Sequence, residues 1–337
     1  MAVSDKRLLR SFMAGILASV MAAGASAQSP ESAEDWLRWS QEARSQHSFV
    51  AEFIYQHQDH VDTMRIWRSA HPDAGVQERL FSLSGEPREI IRDHEEVTCV
   101  LPSAQAVMVD RRHWQAPLDA RLPDSLSDHE PHYRGRVIGE DRVAGRPTQR
   151  VAILAEDAMR YGYQLWFDQE TGLLMRAELV SSEGDVLERV MMLDMELRDG
   201  LEPTELMSQL PQEGFKRVTA RATPSADDQP IDASSWSVAD LPDGFQLHME
   251  REQALPGRDQ AARHLLFSDG IATVSIYIEA ETPDERMRGA LRMGAMNVYT
   301  TTMDGYQVVA LGEVPSSTVE RMATSLQRAD STSNASH

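Results

Sequence analysis

Between Ser48 and Met195, apolar and polar residues exchange places with a period of two. Phe49, Ala51, Phe53 and Tyr55 alternate in SFVAEFIYQH, and Val61, Met64, Ile66 and Trp67 mark a returning strand. The polar QHQDH between them reads as a hairpin turn. More strand-like runs follow at the spacing of a meander: QERLFSL, REIIRD, VTCVL, AQAVMVD, YRGRVIGEDRVA, TQRVAILA, YGYQLWFD, LLMRAELVS and VLERVMMLDM. Turn chemistry separates them at Ser84-Gly85, Pro102-Ser103, Gly145-Arg146-Pro147, Asp168 to Gly172 and Glu183-Gly184-Asp185. No helical pattern of about 10–15 residues intervenes, which disfavours a parallel doubly wound sheet. The pattern predicts one large, strongly curved antiparallel sheet. Between Trp114 and Pro131 the alternation stops, which predicts a loop with a short helix.

Ahead of the sheet, SPESAEDWLRWSQEARSQ has the period of a helix. Ser32 is placed to cap it, acidic residues fill its first turn, and Trp36, Leu37, Trp39 and Ala43 form its apolar stripe. Beyond the sheet the apolar density falls from Pro203 to Ser235, where ARATPSADDQPIDASS reads as a linker. A second unit opens with WSVADLPDGFQLHMER. It contains a hairpin about Asp269-Gly270, a helix predicted over Pro283–Arg292, a second hairpin about Asp304-Gly305, and a closing helix in SSTVERMATSLQRA. The class is therefore α+β, mostly antiparallel β. Residues 28–215 form a large domain, 216–235 a linker, 236–328 a smaller C-terminal α+β domain, and 329–337 a polar, disordered tail.

The first 27 residues are set apart by composition. Lys6, Arg7 and Arg10 precede an apolar run from Phe12 to Ala23, and Ala25-Ser26-Ala27 supplies a small-x-small cleavage pattern. That run is short for a bilayer span. The expectation is a signal peptide cleaved after Ala27 and an exported, soluble protein beginning at Gln28. The full chain carries a formal charge of −20, and loss of three cations and Asp5 with the leader makes it −22. Such a chain does not bind nucleic acid or anionic membrane through bulk electrostatics. Lys216 is then the one lysine left, so almost all the positive charge is arginine.

Cys99 is the single cysteine, so no internal disulfide is available even in an oxidising compartment. Its neighbours Val97, Thr98, Val100 and Leu101 place it on a strand. The first reading is core packing, with intermolecular pairing and nucleophilic chemistry as the alternatives. His57-x2-His60 with Asp62, and His129-x2-His132, have metal-ligand spacing. Both fall in turn or loop sequence where histidine is common, and no metal is expected. A nucleophile elbow, a His-Glu-x-x-His helix and a phosphate-binding glycine loop are all missing from the sequence, so neither an enzyme nor a cofactor is expected. Met159, Met175, Met191, Met192 and Met195 gather at the end of the large sheet. They read as core filler, or else as an adaptable apolar surface for a flexible ligand.

The stretch QERLFSLSGEPREIIRDHEEVTCVLP (77–102) resembles the RseB/MucB family of periplasmic regulators of envelope-stress sigma factors. The matching residues are Glu78, Arg79, Ser82, Leu83, Gly85, Glu86, Pro87, Arg88, Glu89, Arg92, Val97 and Cys99. Residues 161–189 resemble the hairpins that close the family's large sheet. LPDGFQL (241–247), LLFSDGIATVSIYIE (265–279) and GEVPSSTVERMATSL (312–326) resemble its small domain.

The resemblance implies a large domain like the lipoprotein carriers LolA and LolB, a half-open barrel around a helix with a hydrophobic cavity. It implies binding to the periplasmic domain of an RseA/MucA-type anti-sigma factor, shielding of that domain from site-one proteolysis, and release by lipopolysaccharide or another lipid. It also implies self-association, although no heptad or exposed apolar stripe in the sequence calls for a homodimer. The inward candidates for ligand or peptide contact are Phe53, Met64, Ile66, Trp67, Leu80, Val107, Trp114, Trp166 and Met175. Phe245, Phe267 and Tyr277 read as core of the small domain. Arg65, Arg68 and Arg79 are candidates for meeting phosphates or acidic side chains. The rival reading is a periplasmic lipid or lipoprotein carrier, which would have no need of the second domain.

Overall fold

The computed structural model describes residues 30–71, 75–93, 96–110, 123, 125–219, 236–254, 261–281 and 288–328. The leader, Trp114, the greater part of the linker and the tail lie outside the described residues. The chain enters through helix α1 (Ala33–Gln46), which starts at a capping box. Asp35 N donates to Ser32 Oγ at 3.1 Å, and the Asp35 carboxylate accepts from Ser32 N at 3.3 Å.

Twelve strands then build one sheet. The first group is β1 (Ser48–His57), β2 (His60–His71), β3 (Gly75–Ser82), β4 (Glu89–Arg92), β5 (Val97–Leu101) and β6 (Ala106–Asp110). The second is β7 (Tyr133–Val143), β8 (Arg146–Ala155), β9 (Gly162–Asp168), β10 (Leu174–Val180) and β11 (Val186–Arg198). Each group is a meander, and β1 pairs with β11 to join them, giving the order β12-β6-β5-β4-β3-β2-β1-β11-β10-β9-β8-β7. The edge strand β12 (Lys216–Thr219) adds parallel to β6. The first four residues assigned to the linker are thus sheet, because Lys216 to Thr219 find backbone partners in Ala106 to Val109.

α1 lies against one face of this sheet. Trp36 stacks on Phe167 with centroids 6.0 Å apart, and Trp36, Leu37 and Ala43 are buried. Full burial of a side chain such as Leu37 is worth roughly 1.5–3 kcal/mol. Two glycines let the helix approach. A Cβ on Gly135 would fall 2.5 Å from the Ala33 Cβ, and Gly172, at φ +76°, sits directly under the Trp39 ring.

The second unit is a six-stranded antiparallel sheet of order β14-β15-β16-β19-β18-β17. Its strands are β14 (Gln246–Ala254), β15 (Ala261–Ser268), β16 (Thr273–Ala280), β17 (Gly289–Met293), β18 (Met296–Met303) and β19 (Tyr306–Gly312). The helix α2 (Ser316–Thr324) packs on it, and β13 (Trp236–Val238) pairs with β20 (Leu326–Arg328). Two predicted helices are corrected here. Gly289 to Arg292 belong to β17, paired with Asn297 to Thr300, while residues 282–287 are outside the described residues. The closing helix ends at Thr324, because buried Leu326 is drawn into the pair with Val238. Phe245 and Phe267 are core, as predicted, and Tyr277 stacks on His264.

Candidate functional site

Antiparallel partners share a face of a sheet, so the register shows what each face presents. Along the helix side of the large sheet one row of partners runs Ala51, Ile66, Leu80, Ile90, Cys99, Met108, Val218. The row is apolar at every step, but its cover is not uniform. Ala51, Ile66 and Leu80 are buried, Ile90 and Cys99 are half-buried, and Met108 and Val218 are 49% and 40% exposed. Cys99 is therefore a rung of an apolar ladder that opens toward the β5–β6–β12 edge, and not a fully buried core residue.

The predicted contact residues divide between the two faces. Phe53, Met64, Ile66 and Leu80 lie on the helix side, and Met175 belongs to the same core. All five are buried. Trp67 and Val107, paired with Arg79 and Val100, lie on the opposite face, while Trp166, between Leu165 and Phe167 on β9, is buried in the same core as Phe53 and Met175. Trp67 lies beside Arg79, whose guanidinium carbon is 4.2 Å from its ring centroid. Trp166 lies between Arg150 and Arg176 and donates its indole N–H to Asp141 at 2.9 Å. Val107 is buried on that face opposite Val100. Of the methionines, Met175, Met192 and Met195 are buried and Met191 packs partly buried against the core, as the filler reading expects.

Charges that looked free in the sequence are paired. Arg65 bonds Glu52, Arg68 bonds Glu78, and Arg79 bonds Glu89 at 2.5 Å; the last two pairs are buried. Arg92 reaches Glu78 at 3.1 Å. Glu89 also accepts from the backbone N–H of Gln209 at 3.0 Å, and Arg79 donates to the Glu205 carbonyl at 3.0 Å. The segment after β11 is thereby pinned across the outer face. Glu78, Arg79, Glu89 and Arg92, all in the stretch 77–102, hold the sheet together and are not available to phosphate.

The second feature is the contact between domains. Arg160, in the β8–β9 turn, and Asp269, in the β15–β16 turn, form an ion pair whose side chains are both fully buried. Arg160 also donates to the Asp243 carbonyl at 2.6 Å and lies over the rings of Tyr133 and Phe245. Tyr133 donates to Asp269 at 3.2 Å; burial first, then the Asp269 charge, pushes its phenol pKa far up, so it stays a donor. His129 Nδ1 donates to the Asp269 carbonyl at 3.0 Å, and the His132 ring lies against Gly244. His129 and His132, which the sequence places in a loop, are thus interdomain contacts. Asn297 donates to Tyr161 Oη at 3.0 Å and Thr318 to the Met159 carbonyl at 2.7 Å, which extends the contact.

A cleft of about 940 Å³ along α1 is lined by Trp36, Trp39 and Arg38 as well as by the carboxylates of Glu31, Asp35, Glu42, Glu140 and Glu170. A second cleft, of about 770 Å³, opens at the turn end of β1 to β5.

Comparison with known proteins matches residues 32–210 to the MucB/RseB N-terminal domain and residues 230–327 to the MucB/RseB C-terminal domain. The sigma factor AlgU regulatory protein MucB of Pseudomonas aeruginosa is 31% identical over 316 residues, which is 93% of this chain and 95% of that protein. The sigma-E factor regulatory protein RseB of Escherichia coli is 23% identical over 83% of this chain and 86% of its own length. A crystal structure of MucB in complex with MucA(peri) superposes with a TM-score of 0.70 at 27% identity, covering 89% of this chain and 100% of that one. MucB alone gives 0.60 at 26% identity, over 88% and 98%.

Proposed function

This chain belongs to the MucB/RseB family, a family of regulators and not of enzymes, and we propose that it restrains an envelope-stress sigma factor from the periplasm. Its partner is the periplasmic domain of an RseA/MucA-type anti-sigma factor. The carrying observation is that both family domains are present in order and together superpose on MucB in its complex with MucA(peri). Export after cleavage at Ala27 places the mature chain, Gln28 to His337, in the partner's compartment.

Binding restrains the pathway by shielding. An anti-sigma segment held against the two docked domains loses its conformational freedom, and with it the extended, mobile state a site-one protease requires. Release follows when a lipid, with lipopolysaccharide as the leading class, binds a second arrangement better than the first. A lipid with equal affinity for both would shift nothing, and moving the balance from 1:99 to 99:1 takes about a 10⁴-fold difference in affinity. The exposed rungs Met108 and Val218 are where an acyl chain would first find cover, at about 0.8 kcal/mol per buried methylene. Going deeper brings it to Leu80 and Ile66, already buried in the core on which α1 packs, so lipid entry and displacement of the helix become one event.

The test uses the mature protein with the anti-sigma periplasmic domain from the same organism. Affinity, complex mass and the rate of site-one cleavage are measured in the same samples, without and with lipid. Saturable binding, slowed cleavage and lipid-dependent release support the reading, and the mass of the free protein tests the homodimer. Absence of binding with cleavage at the unprotected rate overturns it and leaves the lipid-carrier reading.

A further inference from the structure

We propose that the tip of the β1–β2 hairpin is a zinc-class metal site whose protein ligands are His57, His60 and Asp62. His57 and His60 are the last partners in the β1–β2 ladder, and between them Gln58 takes the left-handed conformation at φ +50°. Partners in an antiparallel pair share a face, and Asp62, two residues beyond His60, is on the same face again. One ligand atom from each of the three lies within 4.8 Å of the other two.

The geometry is close to a coordination polyhedron. Zinc bonds of roughly 2.0–2.1 Å at tetrahedral angles set ligand atoms about 3.4 Å apart. His60 Nε2 and Asp62 Oδ1 are already 3.6 Å apart. The two imidazoles are tilted by 48° with centroids 5.3 Å apart. The His57 ligand atom, within 4.8 Å of both, is the one that would have to close in. Two imidazoles and one carboxylate suit zinc, nickel or copper, and do not suit the all-oxygen shell of magnesium or calcium. Three protein ligands leave a fourth position for water, and it opens on the 770 Å³ cleft that His57, His60 and Asp62 help to line. Asp62 Oδ2 stands 3.4 Å from Arg88 Nη2, a partner that orients the carboxylate and leaves Oδ1 toward the histidines.

The position gives the site a consequence. A Cβ on Gly294, in the β17–β18 turn of the small domain, would lie 3.7 Å from the His57 Cβ and 3.3 Å from Glu188 Oε1. The Ala295 N–H donates to the same Glu188 oxygen at 3.4 Å. The hairpin tip is thus part of the surface on which the small domain rests, and a metal bound there stiffens one side of the domain contact.

Calorimetry with zinc chloride on the mature, untagged, chelator-stripped chain tests this. One equivalent of zinc per chain is expected to bind and to raise the melting temperature. His60 is exposed, so His60→Ala should leave the metal-free melting temperature unchanged while weakening zinc at least about tenfold. Asp62→Asn should weaken it likewise, and His248→Ala, at an exposed histidine of the small domain, should not. Wild-type affinity retained in His60→Ala and Asp62→Asn, or no saturable binding in the parent, overturns the site.

Discussion

The Arg160 guanidinium of the large domain and the Asp269 carboxylate of the small one meet at 2.5 Å, both out of reach of water. Desolvating two charges costs several kcal/mol each, so such a pair persists only where the remaining donors and lone pairs are also used. Here they are. Asp269 Oδ1 accepts the backbone N–H groups of Ile271 and Ala272, and Arg160 reaches the Asp243 carbonyl and Asp157. Asp269→Asn removes the buried counter-charge of Arg160 and leaves it only the partly exposed Asp157. It should cost about 3–5 kcal/mol of docking, seen in denaturant titration, and expand the molecule in small-angle scattering. An unaltered midpoint and radius would show that the domains are held by something else.

Leu80 and Met108 sit on the same apolar ladder but under different cover, which separates stability from binding. Leu80→Ala opens a cavity and should cost about 2–5 kcal/mol. Met108→Lys or Val218→Lys should change stability by less than about 0.5 kcal/mol. Both charged variants should nevertheless weaken binding of a fluorescent acyl probe several-fold. Undiminished probe binding in the double variant would place the lipid elsewhere.

Gly172 is required for two reasons that act together. Its φ of +76° disfavours any side chain, and a Cβ would stand 2.8 Å from the nearest atom of the Trp39 ring. Gly172→Ala should therefore cost about 1–3 kcal/mol and shift α1 on the sheet. A lowered melting temperature with altered tryptophan near-ultraviolet dichroism is the expected result. Wild-type values in both would mean that the turn relaxes without strain.

The strands were legible because alternation is a local property, and the hairpins because Asp-Gly turns are. Asp304 and Gly305 both take positive φ, at +50° and +80°, as a two-residue hairpin turn needs. What escaped was long-range. Arg79 read as a candidate for phosphate because nothing nearby in sequence engages it; its partner Glu89 is in turn covered by Ser208 and Gln209, the latter 120 residues further along. Trp67 and Val107 lie on the face away from α1 because an apolar residue satisfies either side of a strand when its neighbours cover it, as Arg79 covers Trp67. The Arg160–Asp269 contact joins two turns 109 residues apart, and each alone reads as ordinary turn chemistry. The hairpin His57-x2-His60 was visible, but its shared face with Asp62 needed the register.

His264 makes stability depend on pH. Its ring stacks on Tyr277 with centroids 4.3 Å apart, and Nε2 lies 3.0 Å from Ser275 Oγ. Burial first, and then the Arg251 charge, lowers its pKa from 6.5 to about 4. In the unfolded chain the imidazole takes its proton near pH 6.5, whereas the folded chain resists until about pH 4. Between those values the unfolded state binds more protons, so stability is full above pH 6.5 and falls on acidification toward pH 4. One pKa unit is worth about 1.4 kcal/mol, which puts the loss from this group at roughly 2 kcal/mol by pH 5. His264→Phe keeps the ring stack and removes the titration. The drop in melting temperature from pH 7 to pH 5 should therefore shrink in the variant relative to the parent, and an equal drop in both would assign the acid sensitivity to other groups.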